Sequence, residues 1–203
     1  MATVIIVRHG NTFERGEAPR RVGSRTDLPL TAEGEAQARS VGRHFAEAGI
    51  TFDRVLTGPL VRTRRTAALI GETIGSVGPA EVVPWLDEID HGPDEDRPEA
   101  DVVARLSADV LAAWDRAAIV PPGWNVDIPG RIAAWRAFLE AAEGTNLIVT
   151  SNGAARFALL AAGVVPSLNR LKLRTGAWGR LAGGGRAWTI LEWDRRASDD
   201  PAG

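Results

Sequence analysis

The chain has 203 residues, a formal net charge of -2 and no cysteine. The length suits one domain with its own core. The absence of cysteine excludes a disulfide scaffold, a thiolate-ligated metal or cluster and a thiol nucleophile. Three histidines (His9, His44, His91) argue against a histidine-built metal centre, and the near-neutral charge argues against a nucleic-acid partner. No apolar run approaches the roughly 18 residues of a membrane span, and the first residues lack the basic start of a secretory signal. The expectation is a soluble cytoplasmic protein with neither a membrane nor a nucleic-acid partner.

In chain order, residues 3–7 form a continuous β-branched run, which reads as a strand buried on both faces of a parallel sheet. The run ends at Arg8-His9-Gly10-Asn11-Thr12. Between residues 8 and 25, five arginines face two glutamates, a local surplus that suits either an anionic small molecule or an ordinary basic surface loop. Thr31 is placed to cap a helix with Glu33 and Glu35 in its first turn and a stop near Gly49. A short strand over 52–57 and a helix over 60–74 follow. In the first turn of that helix Arg62 points back toward the strand ends, whereas Arg64 and Arg65 face elsewhere.

Val82 and Val83 suggest another short strand. The acidic stretch 87–101 is either a solvated loop or a rim or lid beside a site. Helices are expected over 98–118 and 128–143, separated by the break at 120–123. A second buried strand, 146–150, ends at Ser151-Asn152-Gly153. Alternation over 187–193 reads as a strand, with Gly183-Gly184-Gly185 as a hairpin turn before it. Residues 195–203 are expected to fray.

Strands alternating with helices give an α/β three-layer α/β/α sandwich with a mostly parallel central sheet. The expected domain covers 1–194, with 87–130 as an insertion or lid over the site. Both buried strands end in a polar residue followed by glycine, and in open α/β sheets ligands bind outside such strand ends.

The first of these ends carries the chemistry. A neutral histidine held in one tautomer can attack phosphorus and carry the phosphoryl group, which assigns that part to His9. Arg8 offers a forked donor to phosphoryl oxygens, and Gly10 lets backbone amides approach a phosphate. A lone histidine is more often a satisfied core residue, and its arginine and glycine neighbours weaken that reading without removing it. The second strand end partly resembles a serine nucleophile elbow, but no histidine follows it in the chain, so that reading fails.

The motifs form an ordered set: Arg8-His9-Gly10 with Asn11-Thr12, then Asp27-Leu28-Pro29-Leu30-Thr31-Ala32-Glu33-Gly34, then Leu56 through Arg62 to Thr66-Ala67, Leu86-Asp87-Glu88, and Ser151 with Gly153 and Arg156. This set resembles the histidine phosphatase superfamily, in its phosphoglycerate-mutase-like branch. The resemblance implies a phosphohistidine at His9, phosphoryl binding by Arg8 and Arg62, a general acid at Glu88 with Asp87 in reserve, and no metal or other cofactor. Asn11, Arg21, Asn152 and Gly153 complete the candidate substrate-binding set.

Three positions depart from the family pattern. Asn152 stands where the family has its second histidine, and it can donate a hydrogen bond but carries no charge. Arg15 stands near the place of an asparagine in the mutases, and Glu95-Asp96 replaces a Glu-Gly pair. The expected activity is metal-independent hydrolysis of a small anionic phosphomonoester. The alternatives are a weakened or non-catalytic phospho-ligand binder and a phosphotransferase or mutase. His91 can compensate for Asn152 only by folding inward.

Overall fold

A computed structural model describes residues 1–75, 78–164 and 170–199. Six strands form one sheet: β1 (Ala2–Arg8), β2 (Arg54–Thr57), β3 (Glu81–Val82), β4 (Thr145–Thr150), β5 (Trp178–Gly184) and β6 (Ala187–Arg195). Their order is β3-β2-β4-β1-β5-β6. The first four are mutually parallel, and β5 and β6 add an antiparallel hairpin at one side. The mostly parallel α/β sheet expected from the sequence is therefore present.

The β-branched run of β1 is buried from both sides because its side chains alternate between two cores. Ile5 and Val7 pack with Val41, Phe45, Ala67 and Ile70, which belong to α1 (Ala32–Glu47) and α2 (Val61–Ile74). Val4 and Ile6 join Trp114, Trp135, Leu139 and Phe157, from α4 (Ala108–Ala117), α5 (Ile128–Ala141) and α6 (Asn152–Ala162). The helix boundaries follow local chemistry. The Thr31 side chain accepts from Gly34 N at the start of α1, and the left-handed Gly75 and Gly163 end α2 and α6, a conformation that costs glycine little.

Two expectations need correction. The single helix over 98–118 is divided into α3 (Glu99–Leu106) and α4, because Ser107 takes a φ of 74° and caps α4 by accepting from Val110 N. Residues 195–199 do not fray: Arg195 ends β6, 197–199 form a 3-10 turn, and Asp199 pairs with Arg174 at 2.7 Å. Residues 200–203 lie outside the described residues. No helix among the described residues is long and apolar enough to cross a membrane.

Trp85, adjacent to the acid-bearing loop, packs edge-on to Trp135 at 5.0 Å and belongs to the core.

Candidate active site

β1 and β4 are neighbours in register, with Arg8 opposite Thr150. The chain leaves β1 toward α1 on one face of the sheet and leaves β4 into α6 on the other. This divergence opens a crevice where open α/β sheets bind ligands. His9 N donates to Thr150 O at 3.0 Å, so His9 and Ser151-Asn152 stand side by side. A cleft of about 440 Å³ lies there, lined by Arg8, His9, Arg62, Glu88, Asn152 and Arg156 among others.

The His9 ring is 6% exposed, and its Nδ1 lies 2.8 Å from Gly10 O. A carbonyl only accepts, so Nδ1 carries the hydrogen and Nε2 keeps its lone pair. Burial, then the cations Arg62 and Arg8, hold the ring's pKa well below its usual 6.5. The ring is neutral at pH 7.

The two flanking guanidiniums are tied to carbonyls. Arg8 Nη1 donates to Leu173 O at 2.7 Å. Arg62, 1% exposed, donates from Nη1 to Thr26 O at 2.8 Å and from Nη2 to Gly23 O at 3.1 Å. Neither Nε has a hydrogen-bond partner. Burial lowers the Arg8 pKa to about 10, against the pull of Glu88, and lowers that of Arg62 as well. Both remain cationic at neutral pH. As expected, Arg62 lines the cleft, while Arg65 turns away to Glu35 at 2.7 Å.

Glu88 is 6% exposed. Its Oε2 accepts from Gly153 N at 3.2 Å and its Oε1 from Ile89 N at 2.9 Å. Arg131 fixes this turn by donating to Asp87 O and Glu88 O at 2.6 and 3.0 Å. A Cβ on residue 153 would lie 2.0 Å from Glu88 Oε1, so only glycine lets α6 start against the carboxylate. Burial raises the pKa of Asp87, whose Oδ1 accepts from Glu88 N at 2.8 Å.

Asn152 opens α6. Its Oδ1 accepts from Leu173 N at 2.9 Å, which leaves the amide NH₂ as its donor to the cleft. Asn11 accepts from the Thr175 hydroxyl through Oδ1, and its backbone N donates to Gln37 Oε1 at 3.0 Å. His91 does fold inward: it is 5% exposed, lines the cleft and packs 4.4 Å from the Trp124 ring.

Gly10 has a packing reason that the sequence did not show. A Cβ there would lie 2.2 Å from Gly34 O, so the glycine serves the close approach of α1. Its N–H donates to Thr66 Oγ1 at 3.3 Å.

The basic surplus of residues 8–25 is largely consumed internally. Arg20 pairs with Asp96 at 2.6 Å, Arg21 with Glu99, and Arg25 with Asp90 at 3.0 Å. Arg21 lines the cleft but reaches it already paired. Sequence reasoning counted Arg156, which is fully buried, among the motif residues but placed neither it nor Lys172 in the site. Arg156 stacks 4.0 Å from the Trp114 ring centre and donates to Trp114 O at 2.6 Å. Its signal was available, because it lies four residues after Asn152 and so on the same face of α6. Lys172 and Thr175 come from irregular chain and carried none.

Glu95 fastens the loop that holds Arg62. It accepts from Gly23 N, Arg25 N, Thr26 Oγ1 and His91 N at 2.9, 3.2, 2.8 and 3.1 Å. Burial raises its pKa, but the bonds from His91 and Thr26 outweigh burial and hold it at about 2 against 4.5 when unfolded. A depressed carboxyl stabilises the fold above its unfolded value and loses that contribution as pH falls toward the folded one. Between pH 4.5 and 2 the protein should therefore lose on the order of 3 kcal/mol through this group. Urea titrations across that window check it. Glu95→Gln should flatten the pH profile, and an unchanged profile would remove Glu95 from the account.

The fold and the cleft define an α/β enzyme whose cationic floor surrounds a neutral histidine. The histidine phosphatase superfamily (branch 1) model matches residues 4–196, and the chain belongs to that superfamily. It is thus an enzyme of the phosphoric monoester hydrolase type. It is 33% identical over 205 residues to a probable phosphoglycerate mutase GpmB of Klebsiella pneumoniae, covering 95% of this chain and 90% of that one. The protein of that name from Serratia proteamaculans is 44% identical over 99 residues, 48% of this chain and 42% of that one. Among solved structures, a mycobacterial glucosyl-3-phosphoglycerate phosphatase superposes with a TM-score of 0.77 at 18% identity, covering 97% of this chain and all of that one.

Proposed function

We propose that the protein hydrolyses a small phosphomonoester through a phosphohistidine at His9. The observation that carries this reading is the His9 Nδ1 contact with Gly10 O at 2.8 Å, which leaves an unprotonated Nε2 between two arginines. In the first step Nε2 bonds to phosphorus and the ester P–O bond breaks. Glu88, entering as the carboxylic acid, gives its proton to the leaving oxygen. In the second step water attacks phosphorus and the P–N bond breaks. The water proton goes to the Glu88 carboxylate, which restores the acid and frees inorganic phosphate. Arg8, Arg62 and the Asn152 amide hold the phosphoryl oxygens, so positioning and fixed charge supply most of the catalysis. Incubation with an aryl phosphate and an alkaline quench tests the reading: acid-labile phosphate should appear on His9. Turnover without that adduct would sink it.

Asn152 favours a second reading, a phospho-ligand binder with weakened turnover. A charged donor binds an anionic oxygen about twice as strongly as a neutral one. Asn152→His should therefore raise turnover about tenfold or more. The Leu173 N–H that now meets Asn152 Oδ1 can meet the new Nδ1. A fall in turnover with folding intact would mean that the asparagine serves another step. Phosphoryl transfer to an acceptor other than water remains the third reading, which product analysis with added alcohols separates from hydrolysis.

A further inference from the structure

Six cations line the cleft: Arg8, Arg20, Arg21, Arg62, Arg156 and Lys172. They divide into two groups by what they touch. At the floor, Arg8 and Arg62 have carbonyl partners. Asp27 lies 3.9 Å from Arg62, is itself half exposed and accepts from Val61 N. Along the walls every cation is already opposed. Asp96 sits 2.6 Å from Arg20, Glu99 holds Arg21, and Asp115 lies 3.3 Å from Lys172 and 3.6 Å from Arg156.

Because Glu88 enters as the neutral acid, the ionised carboxylates that meet these six cations are four: Asp27, Asp96, Glu99 and Asp115. The surplus of two equals the charge of one phosphoryl dianion, and none is left for a second anionic group. A carboxylate on the leaving group would have to displace Glu99 or Asp115, or lie beside it, where like charges repel. A hydroxyl meets the same walls differently, because it donates to the acid of each pair and accepts from the base. The wall also offers Thr12 as a neutral polar partner and Phe13 and Val22 as apolar faces.

We infer that the paired walls of this cleft select phosphomonoesters whose leaving group is uncharged and hydroxylated, a polyol or sugar, against those that carry a carboxylate. The inference rests on the phosphatase reading above and names the substrate class of that site.

Glycerol 3-phosphate and 3-phosphoglycerate test it, since they differ only by CH₂OH against carboxylate at the far end. The native chain should turn over glycerol 3-phosphate with at least tenfold higher kcat/KM. Glu99→Gln, which leaves Arg21 unopposed, should raise kcat/KM for 3-phosphoglycerate at least fivefold and narrow the ratio. Asp115→Asn, which frees Lys172, should do the same and guards against a misfolded first variant. Equal or better turnover of 3-phosphoglycerate by the native chain overturns the inference, as does an unchanged ratio in both folded variants. Calorimetric binding of both esters to His9→Ala separates the two claims. Preferential binding of glycerol 3-phosphate without native turnover of any ester, an aryl phosphate included, overturns the phosphatase reading and supports the selectivity. Equal binding of the two overturns the selectivity alone.

Discussion

His9→Ala is expected to lower kcat/KM for an aryl phosphate by at least about 10⁴-fold and to leave no phosphate on the protein after an alkaline quench. The size follows from chemistry that nothing else in the cleft can supply. Among the described residues the only other histidine lining it is His91, whose Nδ1 lies 3.5 Å from Glu95 Oε2. The fold should tolerate the change. His9 is a buried ring with two cations near enough to disfavour its charge, an arrangement kept at some cost in stability. The thermal midpoint should hold or rise, and calorimetry beside the assay checks this. Retained turnover would move the nucleophile elsewhere.

Arg62→Met is expected to lower kcat/KM by about 10²- to 10³-fold, the usual loss when one fixed donor to the reacting group is removed. It should also cost stability. Thr26 O would lose its donor and Gly23 O one of two, since Thr26 N also donates to it at 3.4 Å, beside a side chain that is 1% exposed. The cost of leaving such an acceptor unmet is about 1–3 kcal/mol. Arg62→Lys separates the two effects, because an ammonium restores charge but does not span both carbonyls as a planar fork does. It should recover part of the rate and little of the stability. A rate loss below fivefold in Arg62→Met would take this arginine out of phosphoryl binding.

Much of this site was legible before any coordinates. A continuous β-branched run read as a strand buried on both faces because only a central strand needs Val4 and Ile6 on one side and Ile5 and Val7 on the other. Arg8, His9 and Asn152 fall at strand ends, where the α/β pattern itself puts ligands. Arg62 was legible from its place in the first turn of α2. The walls were not. Whether Arg20, Arg21 and Arg25 present charge to a ligand depends on Asp96, Glu99 and Asp90, which lie some seventy residues away and meet them only through tertiary packing. Local charge counting therefore overstated the basic surplus. Gly10 was recognised as special for a contact that proved to be Gly34, since spacing shows that a side chain is excluded but not what excludes it. The break at Ser107 gave no signal because serine at positive φ is rare.

The divergence of the chain from β1 and β4 to opposite faces of the sheet has a consequence for how the molecule can change. Arg8, His9 and Asn152 stand on adjacent sheet strands or the residues that directly follow them, whereas Arg20, Glu99 and Asp115 come from loops and short helices. On the proposed reading, and with the loop residue Glu88 as the exception, reaction and preference would be carried by separate parts of the polypeptide. Libraries confined to the peripheral segments should retune which ester is accepted while leaving the bond-breaking apparatus intact, so new specificities are reachable by few steps from a competent ancestor.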